Sequence, residues 1–328
     1  MIRITRCSDC WKGVNDTMTN TVSSKTTHRG IRRGKDEIAL QTLSFICIGV
    51  IGILCLLPFV MVISASFSSE RAIQLKGFSL LPRDFTFAAY ESVFQNPGII
   101  FRAYAVTICL TIAGTVIGLF IQSMTAYVLA RKEFGWRNAF SLFFYFTTLF
   151  SGGLVSSYIL ITQYLHLKNS YLALLLPFVF STYNLLIMKS YISGIPDDLI
   201  SAAKIDGCGE FRTYVVIILP MIKPALATVG LFIALGVWND WYNAMLYISD
   251  DAMKPLQYIL YEKINNIEAY KRLLESGNLS TEAADAVALP TQTLKMALTI
   301  VVTGPIILLY PLVQKYYVQG MTIGAVKG

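Results

Sequence analysis

Two short stretches of this sequence carry residue types that could do chemistry. The first, from Ile195 to Pro220, combines acidic residues, small residues and glycines between two long apolar runs. The second mixes indole and phenol rings with amides and one carboxylate. Because aromatic rings pack against the C–H faces of sugars and amides bind hydroxyl groups, this second stretch could contact a sugar or line a pore. Its candidate residues are Trp238, Asn239, Asp240, Trp241, Tyr242 and Asn243.

The first stretch predicts a short helix with signals at both ends. Pro196 suits a first helical position, and Asp197 and Asp198 place negative charge where the helix dipole favours it. Gly207 and Gly209 then end the helix. About ten residues form a helix that is only marginally stable alone, so a partner should hold it. A narrow face of mostly small side chains would let a partner approach closely, and it comprises Leu199, Ala202, Ala203 and Asp206.

The rest of the chain is too apolar for a water-soluble protein. Of its 328 residues, 55% are hydrophobic and 14% are charged, whereas a soluble domain carries about 25% charged residues. Six stretches are long and apolar enough, or nearly so, to cross about 30 Å of hydrocarbon. The sequence therefore predicts an all-α polytopic membrane protein with six transmembrane helices. The predicted spans are Ile38–Phe67, Ala103–Ala130, Asn138–Leu165, Tyr171–Met188, Ala225–Asn239 and Met296–Gln314.

The distribution of basic residues predicts that both termini are cytoplasmic. With that orientation 17 of the 27 Lys and Arg residues lie in the inside segments, and the bias is clear among the short loops and the N-terminal tail. The loop around Ile195–Pro220 then faces the cytoplasm. The net charge of +7 favours contact with anionic membrane lipid. A nucleic-acid partner is not expected, because no basic stripe is interleaved with aromatic residues.

The chain shows neither an ion-coupling group at membrane depth nor a nucleotide site of its own, so a transporter with this sequence would draw its energy from another subunit. The six predicted span interiors contain no Asp, Glu, Lys, Arg or His, although an ion-driven carrier needs such groups at membrane depth. The stretch GIRRGKDE at Gly30 lacks both the spacing and the Ser or Thr of a nucleotide-binding loop. With His28 and His166 as the two histidines and no nucleophile–base pair visible, no catalytic site is expected. No metal site is expected either.

One heptapeptide in the first stretch is followed, nine residues later, by Ile217-Ile218-Leu219-Pro220. The heptapeptide is Ser201-Ala202-Ala203-Lys204-Ile205-Asp206-Gly207. This pattern closely resembles the EAA loop of ABC importer permeases, whose coupling helix docks in a cleft on the ATP-hydrolysing subunit. The family's Glu is Ser201 here, so a hydroxyl replaces the carboxylate that would pair with the ATPase. The resemblance implies these coupling residues: Ser201, Ala202, Ala203, Asp206, Gly207, Leu219 and Pro220.

Two more stretches, 236–249 and 311–328, resemble carbohydrate-uptake permeases of the maltose-type class. Within that class the chain is most similar to the lipoprotein-linked or polygalacturonan-type branch, which imports oligosaccharides. The resemblance implies a type I ABC importer permease fold in the plasma membrane of a bacterium. It also implies several partners: a second permease subunit, an extracytoplasmic sugar-binding protein and two ATPase subunits that carry ATP and Mg²⁺, with no cofactor in this chain.

The domain organisation follows from the spans and the resemblance together. A six-helix permease domain occupies 38–318, with the coupling loop at 194–220 and a long extracytoplasmic loop at 249–295. Cytoplasmic tails flank this domain at 1–37 and 319–328.

Three classes of function follow, of which an ATP-driven oligosaccharide importer is favoured. An ion-coupled secondary carrier or channel is the alternative, and transport that persists without an ATPase would favour it. A membrane-embedded enzyme such as a glycosyltransferase would need acidic or histidine residues clustered at one membrane face. The sugar-contact candidates also have an explanation without any ligand, because Trp and Tyr are enriched at membrane–water interfaces.

Overall fold

The computed structural model describes residues 35–275 and 291–307, and these ranges are helical, with no β-strand in them. Two helices are long and apolar enough to span a membrane alone: α1 (Lys35–Ser66) and α4 (Pro97–Ala130). They cover the first two predicted spans except for Phe67. The short helices α2 (Glu70–Lys76) and α3 (Ala88–Val93) lie between them.

The third and fourth predicted spans are each a pair of helices with a bend between them, whereas the fifth, Ala225–Asn239, corresponds to a single helix that follows a third bend. The sequence predicted one continuous helix for the third and for the fourth span, and the structure corrects this. The bends measure 114°, 46° and 85° in chain order. The three pairs are α5 (Arg137–Leu149) with α6 (Gly153–Tyr164), α7 (Tyr171–Val179) with α8 (Thr182–Ser193), and α10 (Glu210–Met221) with α11 (Lys223–Trp238). The loop helix α9 (Asp197–Ile205) lies between the second and third pairs.

Glycine and proline residues accompany the bends. Gly153 begins α6 with φ +80°, a conformation that an L-residue rarely adopts. Pro177 lies inside α7 two residues before the helix ends, where its ring and missing N–H weaken the helix. Pro224 lies in the first turn of α11, which a proline tolerates, so the new helix starts beyond the bend.

The C-terminal part of the described chain contains three more helices. They are α12 (Tyr242–Tyr247), α13 (Leu256–Glu275) and α14 (Thr291–Ile307). α14 begins five residues before the predicted sixth span, and the end of that span lies outside the described residues. The predicted tail at 319–328, and the tail at 1–37 up to residue 34, also lie outside them.

The chain forms two compact units. One unit contains residues 103–258 of the described chain, and its core is formed by α4, α7, α8, α10 and α11. Gly118 of α4 marks a close helix approach there, because a Cβ at this position would lie 3.1 Å from Ile233 Cδ1 and 3.3 Å from the Phe178 carbonyl oxygen. Small residues permit such approaches between membrane helices.

The other unit contains residues 35–102, 259–275 and 291–307. In it, the Glu70 carboxylate accepts hydrogen bonds from the backbone N–H groups of Gln292 and Thr293, at 3.0 and 2.9 Å. It also accepts from the hydroxyl groups of Thr291 and Thr293. The carboxylate thus binds the unpaired N–H groups at the start of α14 and fixes that helix beside α2.

Candidate functional site

The loop helix α9 has the N-terminus that its sequence predicted, displaced by one residue. Pro196 is the N-cap, with φ −59° and ψ 132°, and the helix begins at Asp197. The extended ψ keeps Pro196 outside the helix, which corrects its predicted place as first helical residue. Asp197 and Asp198 occupy the first turn, where the helix dipole stabilises their negative charges.

The C-terminus of α9 depends on one glycine. Gly207 has φ +75°, and its N–H donates to the Lys204 carbonyl at 3.0 Å. The N–H of Cys208 donates to the Ala203 carbonyl at 2.9 Å, and the two side chains pack together. These two bonds and this contact form a Schellman motif, which requires a left-handed residue at the position of Gly207.

The two alanines predicted to share one exposed face point in different directions. Ala203 is buried, and it packs against Cys208 and Ile217 of its own chain. Ala202 is exposed, and so are Ser201 and Asp206. Ile205, an apolar residue of the same helix, is 87% exposed. The free face of α9 therefore consists of Ser201, Ala202, Ile205 and Asp206.

Four charged side chains hold α9 against its own chain. Lys204 Nζ lies 2.5 Å from Glu133 Oε2 and 3.1 Å from Glu210 Oε1. Arg131 Nη2 lies 3.0 Å from the same Glu133 oxygen and 3.7 Å from the same Glu210 oxygen. We call these four residues the ion-pair cluster. Glu133 lies in the turn after α4, and Glu210 begins α10, so the cluster joins three elements of the chain.

In this cluster, the acidic and basic side chains stabilise the ionised forms of one another. The hydrogen bond from Lys204 and the nearby Arg131 hold the pKa of the Glu133 carboxyl below its usual value. Hydrogen bonds to Glu133 and Glu210 raise the pKa of the Lys204 ammonium. Both shifts keep the cluster charged across the neutral range.

Two further contacts connect α9 and α10 with the end of α4. At the N-terminus of α9, Lys132 Nζ lies 2.7 Å from Asp197 Oδ2. The Tyr127 hydroxyl of α4 donates to Glu210 Oε2 at 2.6 Å. Single exposed ion pairs contribute little to stability, but here contacts at both ends of a short helix fix its position. Sequence reasoning missed Tyr127, Arg131, Lys132, Glu133 and Glu210, because nothing in the sequence marks contacts between separate loops.

Leu219 and Pro220 lie at the bend that follows the loop and not on the free face of α9. They follow a π-helical turn at Tyr214–Ile218 and precede the 85° bend into α11. Both side chains are half-buried. The adjacent Tyr214 is buried, and its hydroxyl lies 2.7 Å from Ser123 Oγ of α4.

The six sugar-contact candidates differ in exposure, and several of them form hydrogen bonds close to their own turn. Trp238 is buried, and its Nε1 has no hydrogen-bond partner within residues 35–275 and 291–307. Asn239 bonds to the Leu235 carbonyl and to Gln257. Asp240 Oδ1 accepts from the backbone N–H and the side-chain amide of Asn243, at 3.1 and 3.0 Å. These polar groups hold the turn between α11 and α12.

Asn239, Trp241 and Tyr242 are exposed, and Asp240 and Asn243 are half-buried. The rings of Trp241 and Tyr242 pack edge to face with centroids 5.6 Å apart, and both side chains are exposed. Asn243 also lines a cavity of about 530 Å³ beside the bend between α5 and α6, together with Ser151, Ser157 and Tyr247. That cavity is large enough for part of a small ligand.

These features define a class: a multi-pass helical membrane protein with bent spans and a capped helix in one connecting loop. Residues 114–323 match the family described as "Binding-protein-dependent transport system inner membrane component". The chain therefore belongs to this family of ABC transporter permeases. One solved structure shares the fold, with a TM-score of 0.74 and 27% identity over 88% of this chain and 99% of that one. It is the crystal structure of a bacterial ABC transporter involved in the import of the acidic polysaccharide alginate.

Several relatives are similar over most of their length. Protein LplC of Bacillus subtilis is 37% identical over 86% of this chain and 92% of its own. The polygalacturonan/rhamnogalacturonan transport system permease protein YtcP of the same organism is 36% identical over 84% and 94%. The trehalose/maltose transport system permease protein MalG of Thermococcus litoralis is 29% identical over 90% and 99%. These identities confirm the resemblance found in the sequence.

Proposed function

We propose that this chain is a transmembrane permease subunit of an ATP-driven importer of oligosaccharides. The names of YtcP and MalG and the alginate transporter structure support a sugar as cargo. The observation that carries the proposal is the geometry of α9. It is a short helix, ended by a Schellman motif and fixed by the ion-pair cluster, that leaves Ser201, Ala202, Ile205 and Asp206 uncovered.

In this proposal the loop at 194–220 lies in the cytoplasm, as do both termini, in the plasma membrane of a bacterium. ATP and Mg²⁺ bind to a separate pair of ATPase subunits, and this chain has no catalytic residue or cofactor of its own. A second permease subunit completes the translocation pathway. A solute-binding protein outside the cell delivers the sugar.

The coupling residues divide into two groups by their positions. Ser201, Ala202 and Asp206 lie on the free face of α9, with Ile205, and would contact the ATPase. The others would position that face: Ala203, Gly207, Leu219 and Pro220. Ser201 offers a hydroxyl hydrogen bond in place of an ion pair, so shape complementarity carries more of the docking.

Closure of the ATPase pair on ATP would move its docked α9 helices, and the bent spans would rock between outward-open and inward-open states. Because the ion-pair cluster joins α9 to the end of α4, this long helix would move with α9. The near-rigid motion requires no ionisable group inside the membrane.

Replacement of Ala202 by Trp tests the docking. This exposed side chain should accept Trp without unfolding, but the indole would prevent close approach of the ATPase. We expect the purified complex to lose its ATP hydrolysis stimulated by the binding protein while the variant stays in the membrane. Gln163→Trp, at an exposed position outside the loop, is the matched control and should leave the stimulation unchanged. Unchanged stimulation in Ala202→Trp, or sugar uptake without nucleotide, would instead favour a secondary carrier.

A further inference from the structure

The bend between α7 and α8 opens a cavity of about 550 Å³. The cavity lies inside one compact unit of the chain and at the middle of a predicted span. It is distinct from the group of Trp238–Asn243 that the sequence indicated. Its lining includes Phe178, Ser181, Tyr183, Asn184, Phe232 and Gly236.

The backbone at this bend is incompatible with a lipid surface. α7 ends at Val179 and α8 begins at Thr182, so the residues between them are not helical. The Val179 carbonyl accepts a hydrogen bond of 2.9 Å from the buried side chain of Gln122 in α4. Non-helical backbone at membrane depth is tolerated only where it is buried in protein or lines a water-filled cavity. The open side of this bend therefore faces protein or water.

The shape of the cavity depends on Gly236 of α11. A Cβ at this position would lie 3.0 Å from Cε1 of the Phe178 ring, so a larger residue would push that ring aside. The ring of Tyr183 is 65% exposed, and its centroid lies 6.3 Å from that of Phe232. A flat, open ring of this kind can pack against the C–H face of another ring.

The polar groups of the cavity are uncharged. Ser181 contributes a hydroxyl, Tyr183 a phenol and Asn184 an amide, and none of the lining residues is charged. Hydroxyl and amide groups donate and accept hydrogen bonds, as sugar hydroxyl groups require. Aromatic faces beside a few neutral polar groups are the chemistry that binds a glycosyl unit, and the volume suits one or two such units.

We propose that this cavity binds a glycosyl unit of the oligosaccharide as it passes through the membrane. Tyr183 packs against the sugar ring, and Asn184 and Ser181 bond to its hydroxyl groups. The inference rests on the proposed function and adds that this subunit contacts the sugar directly, at the bend of its fourth span. Because its lining is uncharged, the cavity binds the hydroxyl groups of the sugar and offers no cation to pair with a carboxylate.

Transport by the whole complex tests the contact. The complex and its binding protein are reconstituted in proteoliposomes and offered maltotriose, arabinotriose and trigalacturonate. Asn184→Leu and Tyr183→Ala should each lower the uptake of the transported sugar by roughly fivefold to tenfold, the loss expected for one good contact. The amount of each variant complex recovered from the membrane should equal that of wild type, which distinguishes a lost contact from misfolding. Tyr145→Ala removes another exposed tyrosine outside this cavity and should transport normally. Wild-type uptake in both cavity variants would overturn the inference.

Thiol labelling gives a second test that needs no transported sugar. Ser181→Cys is a small change, and the thiol it introduces should react with a charged, water-soluble thiosulfonate reagent faster than the wild-type background. A sugar that fills the cavity should slow this reaction severalfold. Labelling of Ser181→Cys no faster than that background would overturn the inference, because the bend would then be sealed from water. Uptake without ATP, by contrast, would contradict the proposed importer and leave the labelling result intact.

Discussion

Lys204 Nζ lies 2.5 Å from Glu133 Oε2, although 71 residues separate the two in sequence. Lys204 belongs to the last turn of α9, and Glu133 belongs to the turn that follows α4. Arg131 and Glu210 complete the cluster, so each cation faces two carboxylates. The pair therefore fixes the proposed coupling helix to the longest apolar helix of its compact unit.

Reversing the charge of Lys204 should weaken the coupling of this subunit to ATP hydrolysis more than it weakens the stability of the fold. In Lys204→Glu, the new carboxylate would face Glu133 and Glu210, so α9 would shift from its position beside α4. We expect ATP hydrolysis stimulated by the binding protein to fall roughly threefold to tenfold, the range typical of coupling networks. Basal hydrolysis and the amount of protein in the membrane should be preserved.

The double variant Glu133→Lys with Lys204→Glu tests whether the loss of stimulation comes from the broken ion pair or from the changed charge of Lys204 alone. It restores the central pair, and it should recover part of the lost stimulation. Recovery stays incomplete because the new carboxylate still faces Glu210 and the new ammonium faces Arg131. Lys168→Glu is the matched control, since Lys168 is exposed and forms no ion pair within residues 35–275 and 291–307. Equal loss in the double variant and in Lys204→Glu would show that the pair does not position α9.

The loop helix was predictable, but its attachments were not. Local signals from Asp197 to Gly207 predicted α9 to within one residue at its start, because capping depends on neighbours along the chain. The contact of Lys204 with Glu133 depends on where a separate loop folds. The inward direction of Ala203 is likewise set by Ile217, on an element that follows the helix.

Gly207→Ala should loosen the end of α9. An L-residue in the left-handed region costs about 1–2 kcal/mol, and Gly207 has φ +75°. We expect faster hydrogen exchange at Cys208, whose N–H closes the motif, and reduced stimulation of ATP hydrolysis. Gly209→Ala is the control, because Gly209 has φ −71° and open space around a Cβ. Equal effects of the two substitutions would contradict the role of the left-handed glycine.

The bends in the spans could not be predicted from residue type. Pro58 lies inside α1, and that helix continues unbroken for eight more residues to Ser66. Pro177 lies inside α7, and that helix ends two residues later. The two prolines differ in the residues that surround them. At the end of α7, Gln122 of α4 donates a hydrogen bond to the Val179 carbonyl, which the helix leaves without an internal partner. Apolar length predicted where spans occur, whereas packing partners decided whether each span is straight.

Glu70→Gln should destabilise the start of α14. The amide would place an NH₂ group against N–H and hydroxyl donors, in place of an oxygen that accepts from Gln292 and Thr293. The loss of a capping carboxylate of this kind costs about 1–2 kcal/mol. Hydrogen exchange in the peptide that begins at Thr291 should therefore quicken. Glu91→Gln, at an exposed glutamate of α3, should leave that exchange unchanged.

The stabilisation that the Glu70 carboxylate provides should decrease as the pH is lowered. Burial opposes ionisation, but hydrogen bonds from Thr293 and Gln292 hold the pKa of the Glu70 carboxyl below its usual value. Its stabilisation is thus complete above the unfolded pKa of about 4.3 and is lost as the pH falls through the lower folded value. The difference between wild type and Glu70→Gln should persist at pH 7 and shrink towards pH 3. A difference that grows on acidification would contradict this assignment.

Asp240→Asn should have the opposite dependence on pH. Burial raises the pKa of the Asp240 carboxyl, although the N–H and amide of Asn243 oppose the shift. The protonated form is therefore favoured in the folded protein, and this stabilisation is lost as the pH rises from about 3.9 through the folded pKa. An asparagine keeps a carbonyl oxygen for Asn243 without carrying a charge. At pH 7 the variant should melt roughly 1–3 °C higher than wild type, and the advantage should vanish near pH 4. A variant that melts lower at pH 7 but transports normally would show that the charge serves stability. If it melts higher, as expected, but loses sugar uptake, the Asp240 carboxylate contacts the cargo or a partner subunit.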